Sequence, residues 1–198
     1  MAKIKSKLNG TKKETIIEAA AHMFREKGFS ATSMRDLAEK VGVEAASLYN
    51  HIQSKSEILQ EICFKVANQF TNYIHELENS NISSIEKIER LLRFHIHQIV
   101  NNYQEVHVAD REWKYLDEPY LFNYQNQRRL YRKRIAAIIE EGIQKKEIKP
   151  IDAPTAVLII LHAVSGIESW HRSRQKISAA ELEENMVLIL VKGLQKDS

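Results

Sequence analysis

The 198-residue sequence contains one cysteine, Cys63, three prolines and six glycines. A single thiol excludes an intrachain disulfide and any metal site built on a cysteine pair. So little glycine and proline leaves few residues for the tight turns of a sheet-rich fold, which favours helices. Long hydrophobic runs are also missing. The longest, Ala156–Val164, is interrupted by His162 and is too short to cross a bilayer. No N-terminal apolar stretch resembles a signal peptide. These absences point to a soluble cytoplasmic protein with no membrane partner.

Charge of one sign is scarce overall, at a net +3, but it is unevenly placed. Residues 1–55 carry ten Lys/Arg against six Asp/Glu, and the remainder carries nineteen against twenty. The positive excess is therefore N-terminal, where it suits an anionic partner such as nucleic acid.

Apolar spacing predicts an all-α chain of about nine helices. Residues 1–10 are basic, polar and aperiodic, and read as a disordered arm whose lysines can add electrostatic affinity for DNA. From Thr11, Ile16, Ala20, Met23 and Phe24 fall on one helical face, and Gly28 stops that helix. Ser33 and Asp36 have capping-box spacing ahead of the stripe Met34, Leu37, Ala38 and Val41. Gly42 ends this second helix. A short third helix carries Ala45 and Leu48, with Ile52 on the same side. Ser54 and Glu57 open a long fourth helix to about Leu77. Ser83 with Glu86, Asp152 with Pro154, and Ser178 with Glu181 mark later helix starts. Two further helices are expected at about 106–116 and from Pro119 to about Lys145. The predicted organisation is a basic arm at 1–10, a small helical domain at 11–55, and a larger helical domain at 56–198.

Thr32–Lys55 (TSMRDLAEKVGVEAASLYNHIQSK) is the informative segment. Two short helices joined by a tight Gly42–Val43 turn, with apolar stripes facing across it, make a helix-turn-helix. Leu37, Ala38, Val41, Leu48 and Ile52 are its core. The second helix then turns Ala46, Ser47, Tyr49 and Asn50 outward, with Ala45 nearer the buried edge. Small residues let a helix sit deep in a major groove, and Ser47 can bond a base edge. Tyr49, His51 and Lys55 can reach phosphates, which position the protein without reading sequence.

At these residues the chain resembles the TetR family of bacterial repressors. The resemblance rests on Phe24, Gly28, Thr32, Arg35-Asp36-Leu37-Ala38, Gly42-Val43, Leu48-Tyr49, His51 and Ser54-Lys55, over about residues 11–60. It implies DNA contacts by Thr32, Ser33, Arg35, Ala45, Ser47, Tyr49, His51 and Lys55. It also implies a homodimer formed through the last two helices, palindromic operator DNA as partner, and a small-molecule inducer held among the middle helices. Two positions depart from the family pattern. Glu44 stands where Ser or Thr is common, and Ile52 where Phe is usual. A carboxylate near the groove repels phosphate but can accept from cytosine N4. A solvent-facing acid favoured by the helix dipole is the competing reading for Glu44.

The helix over 153–167 is apolar nearly all round and must be covered on every side, which in a chain this small calls for a partner subunit. For the inducer, six of fifteen aromatics lie between Trp113 and Tyr131. The candidate ligand-binding residues are Phe94, His97, Arg111, Trp113 and Tyr120, together with Tyr124, Arg128, Tyr131, Trp170 and Arg174. The aromatics can hold an acyl group, while Arg128, Arg129, Arg132, Arg134, Arg172 and Arg174 match the phosphates of coenzyme A. Ser165–Arg174 also resembles a stretch found in acyl-CoA-responsive members of the family. An acyl-CoA thioester is thus the expected inducer, with a hydrophobic drug acting on a multidrug-type repressor as the alternative.

Outside the family resemblance, amphipathic helices alone would also suit a helical interaction module that binds no DNA. An enzyme finds little support. His95 and His97 are two residues apart and point about 200° from each other on a helix, which does not suit a shared metal. His107, Asp110 and Glu112 match no catalytic spacing, and Ser165 lacks the strained elbow of a nucleophile. No catalytic residue, metal or cofactor is expected.

Overall fold

In the computed structural model, residues 12–172 and 177–195 are described. The basic arm and Arg174 lie outside them. The elements are α1 (Lys12–Lys27), α2 (Met34–Val41), α3 (Ala45–Tyr49), α4 (Lys55–Glu78), α5 (Ser84–Asn101) and α6 (Tyr103–Arg111). A 3-10 turn (Trp113–Tyr115) precedes α7 (Tyr120–Gln144), α8 (Ala153–Ser165), α9 (Ile167–Arg172) and α10 (Ala179–Leu194). Helices α8 and α9 are separated only by Gly166. Counting them as one segment leaves nine α-helices among the described residues, the number expected from the sequence. Among the described residues, β structure is limited to one isolated bridge, Ile148 to Gln195.

The chain divides into two compact units. One comprises the residues up to 68 together with 104–125, and the other comprises 69–103 with the residues from 126 onward. The division falls inside α4 and α7. It differs from the linear division expected at residue 55, because α6, the 3-10 turn and the start of α7 fold with the helix-turn-helix.

In the first unit, Ile16, Ala20, Phe24, Leu37, Leu48 and Ile52 are all buried. Val41, expected in the same core, is only half-buried. The helix ends follow the chemistry of their caps. Ser33 Oγ accepts from Asp36 N at 3.1 Å, and Asp36 Oδ2 accepts from Ser33 N at 3.1 Å, completing the capping box. At the other end of α2, Gly42 adopts φ +80°, a left-handed conformation that favours glycine. The α4 cap differs slightly from expectation. Ser54 Oγ accepts from Glu57 N, but Glu57 Oε2 reaches back to Gln53 N at 2.7 Å rather than to Ser54. The segment expected as one helix at 106–116 is α6 followed by the 3-10 turn. Its end is tied to the α1–α2 region: Glu112 Oε2 accepts from Phe29 N at 3.0 Å, and the Tyr115 ring stacks on Phe29 at 5.5 Å.

In the second unit, Ile88, Leu92, Ile135, Ile139, Val157 and Ile160 share one core with Val187 and Val191. Helices α8 and α10 both pack on α5. Arg93 on α5 reaches Glu89 on its own helix and Glu183 and Glu184 on α10, and these carboxylates hold the guanidinium above its ordinary pKa. Glu147 caps α5 from 63 residues away, accepting from Ser84 N at 2.6 Å. The buried faces of α8 and α10 leave large aliphatics on their outer sides. Leu158 and Ile159 are 57% and 54% exposed, and Leu188 and Ile189 are 51% and 70% exposed. By length and composition, Ala153–Trp170 would also pass as a membrane span, although its apolar run contains the α8–α9 break.

Candidate nucleic-acid interface and sensor residues

Helix α3 is five residues long, and its one fully buried side chain is Leu48. With Leu48 pointing inward, helical geometry turns the rest out. Glu44, Ala45, Ala46, Tyr49, Asn50 and His51 are exposed, and Ser47 is half-buried. Ala45 therefore belongs to the exposed face, which corrects the expectation that it lies nearer the buried edge. Ser33 and Arg35, at the start of α2, are exposed as well. The Ser33 hydroxyl is already used as the α2 cap.

Two expected DNA contacts are spent inside the domain. Thr32 is 2% exposed, and its hydroxyl donates to the Gly28 carbonyl at 2.9 Å, closing the C-terminal turn of α1. Lys55 donates to the carbonyls of Phe29 and Thr32, both at 2.8 Å, and lies 4.4 Å from the centre of the Phe29 ring. An ammonium that bonds two backbone carbonyls and faces an aromatic ring ties down the α1–α2 loop. Both side chains therefore have partners inside the domain beside the DNA contacts expected of them.

The predicted ligand-binding residues divide between the units. In the first, Tyr124 is 3% exposed, and its hydroxyl donates to the Ala109 carbonyl at 2.7 Å. Phe64 meets Tyr120 and Tyr124 edge-on at 6.2 and 5.7 Å, and Trp113 lies 6.3 Å from Tyr124. Arg111 is exposed on the last turn of α6. In the second unit, Phe70 and Tyr73 from α4, Phe94 and His95 from α5, and Tyr131 from α7 form one cluster. Phe70 contacts Phe94 at 5.2 Å, His95 at 4.6 Å and Tyr131 at 5.9 Å, and Tyr73 stacks on Phe94 at 4.0 Å.

Inside this cluster His95 Nε2 and the Tyr131 hydroxyl are 2.6 Å apart. Burial pushes the His95 imidazole down to about 3 and the Tyr131 phenol well above its ordinary value, so both stay neutral. His97, named from the sequence, is exposed; His95 is the buried member of the pair. The signal was present: the α5 stripe Ile88, Leu92 and Ile99 passes through position 95 and not 97.

Of the arginines, Arg134 pairs with Glu78 at 2.8 Å, and Arg129 donates to Asn126 at 2.8 Å. Arg128 is half-buried. Trp170 is half-buried, with its indole N–H donating to the Ile177 carbonyl at 3.2 Å.

Residues 16–62 match the family model for bacterial regulatory proteins, tetR family, and residues 81–194 match that for the tetracyclin repressor-like C-terminal domain. The chain belongs to the TetR family. Among curated relatives, the HTH-type transcriptional repressor KstR2 of Mycobacterium tuberculosis is 23% identical over 199 residues, covering 100% of this chain and 99% of the relative. The Staphylococcus aureus negative regulator of the icaADBC biofilm operon, IcaR, is 28% identical over 175 residues, covering 85% and 89%. Among solved structures, the ketosteroid regulator KstR2 of M. tuberculosis superposes with a TM-score of 0.87 at 22% identity, covering 96% of this chain and 97% of that one. AibR in complex with isovaleryl coenzyme A and operator DNA superposes with a TM-score of 0.81 at 21% identity, covering 91% and 98%.

This TetR-family chain is a helix-turn-helix transcription regulator and not an enzyme. Among the described residues, no group of His, Cys, Asp or Glu could hold a metal ion.

Proposed function

We propose that this TetR-family protein is a repressor that binds a palindromic operator as a homodimer and is released by an acyl-CoA thioester. The observation that carries the DNA reading is the surface of α3. On α3 and the residues at its two ends, Glu44, Ala45, Ala46, Tyr49, Asn50 and His51 are exposed around buried Leu48. Such a surface lets the helix backbone approach base edges closely, with Tyr49, Asn50 and His51 available to the groove walls. A twofold dimer presents two copies of α3 to neighbouring major grooves, about 34 Å or some 10 bp apart. Residues 11–55 act as the reading head and 56–198 as the sensing and dimerising part. The protein works in the cytoplasm, where its DNA is.

The exposed aliphatics of α8 and α10 support the dimer. In a family of DNA-binding regulators a second copy of the chain is a better cover for them than lipid. The acyl-CoA reading is supported by three observations: the ring cluster at Phe70, Phe94 and Tyr131, the exposed arginines Arg129 and Arg132 on α7, and the fold shared with AibR, whose solved complex contains isovaleryl coenzyme A together with operator DNA. The inducer acts by binding better to the conformation whose two α3 helices do not match the operator spacing; equal affinity for both conformations would shift nothing.

Two measurements test this reading. A gel shift of the full chain on the DNA upstream of its own gene is expected to give a discrete complex. Thermal-shift screening with isovaleryl-CoA, longer acyl-CoAs, the free acids and free coenzyme A is expected to single out a thioester that also dissolves that complex. If no thioester raises the melting temperature, or if those that do leave the complex intact, the inducer is of another class.

A further inference from the structure

Glu44 is the N-cap of α3, with extended backbone at φ −71° and ψ 147°. Caps are usually Ser, Thr, Asp or Asn because their short side chains fold back onto the helix N–H groups. Glu44 does not do this. It makes no side-chain capping bond, and it is exposed. The next three residues are Ala45, Ala46 and Ser47. Glu44 is therefore the only long side chain at the leading end of the recognition helix. That end of such a helix meets the base edges.

We propose that the Glu44 carboxylate is a base-reading group that selects cytosine at one symmetric position in each half-site. The inference rests on the DNA-binding reading given above. Its chemistry follows from what a carboxylate can accept. Phosphates and the guanine edge, with its N7 and O6 acceptors, repel it. Thymine offers an acceptor and a methyl group. Adenine offers an N6 donor beside an N7 acceptor. Cytosine offers an N4 donor with no acceptor on the same base, and it suits a carboxylate best. The same negative charge lowers affinity for every sequence lacking that cytosine, so Glu44 sharpens discrimination while weakening non-specific binding.

The test is selection from a random duplex library by the full-length protein, comparing wild type with Glu44→Ala and Glu44→Gln. Wild type is expected to enrich a palindrome with cytosine favoured roughly fivefold to tenfold at one position per half-site. Glu44→Ala loses the preference at that position alone and binds non-selected DNA more tightly. Glu44→Gln moves it towards adenine, because a Gln amide pairs with N6 and N7 of adenine together. A helix-capping role alone would lower the melting temperature of both variants without changing any base preference. If the three proteins enrich the same palindrome, the inference about Glu44 is wrong while the DNA-binding reading stands. If Glu44→Ala enriches nothing, the base preference of Glu44→Gln decides. If wild type enriches no sequence, the DNA-binding reading itself fails.

Discussion

Two exposed surfaces of this chain, one in each compact unit, differ in kind. On α3 and its two ends the side chains turned outward are glutamate, alanine, tyrosine, asparagine and histidine, around a single buried leucine. On α8 and α10 they are leucine and isoleucine, up to 70% exposed. Exposure is common to both, and chemistry separates them. Small and polar groups suit a hydrated, charged groove, where base edges must be met closely and phosphates approached. Large aliphatics gain nothing from such a groove and lose free energy in water, so they suit another protein surface. On the proposed function, the first surface meets DNA and the second meets another copy of the chain, which places two reading heads on one operator.

The comparison is broken most severely by charging the aliphatic surface. Ile189→Asp combined with Leu158→Asp replaces side chains that are 70% and 57% exposed within the chain, so each protomer should still fold. The expected outcome is a 23.0 kDa monomer by light scattering and a loss of operator affinity of about 10²–10⁴-fold, the advantage of tethering two half-site contacts. An unchanged mass would show that these residues do not form the dimer.

Acid tests the second unit. The folded chain keeps His95 neutral, with its pKa pushed from 6.5 down to about 3, whereas the unfolded chain takes up a proton below pH 6.5. The stabilisation is therefore complete above that pH and falls by about 1.4 kcal/mol per pH unit through the window down to about 3. Melting curves at about pH 7 and about pH 5 check it, and His95→Gln should flatten the slope because its amide does not titrate. An equally steep slope in the variant would place the acid sensitivity elsewhere.

The first unit is sharpened by Lys55→Met. Its stability is expected to fall by about 1–3 kcal/mol, because the carbonyls of Phe29 and Thr32 lose their donor. The slope of log affinity against log salt should stay unchanged, since the ammonium is not a phosphate contact. A slope shallower by about one would return Lys55 to the DNA. The smallest effect is expected from Tyr49→Ala, a several-fold loss of affinity shared by all sequences and measured by anisotropy on specific and non-specific duplexes.

What was legible in the sequence was local. Ser33 with Asp36, Ser178 with Glu181, Asp152 with Pro154, and Gly28 and Gly42 at positive φ all act within a few residues of their partners. The spacing along the chain therefore contains the whole interaction. Features closed over long distances were not legible. Glu112 reaches Phe29 across 83 residues, and Glu147 reaches Ser84 across 63. Nothing in the sequence around Glu112 distinguishes a carboxylate that caps a distant N–H from one in solvent. The packing of residues 104–125 with the helix-turn-helix was not legible for the same reason. The loop bonds of Lys55 and Thr32 were not legible either, because a cationic or hydroxyl side chain near a DNA-binding helix suits both phosphate and backbone carbonyl. The burial of His95 and the exposure of His97 follow from the helical phase of the α5 stripe.

The central claim, that two copies of α3 read one operator, is tested most directly by hydroxyl-radical footprinting of the full-length protein on a palindrome selected from its own upstream DNA. The account predicts two protected stretches on one face of the duplex, with their centres about 10 bp apart or at a whole-turn multiple. Both should disappear together when the dimer surface is charged at Ile189 and Leu158. A single protected stretch that survives those substitutions, or no protection at any protein concentration that saturates the duplex in anisotropy, would contradict it.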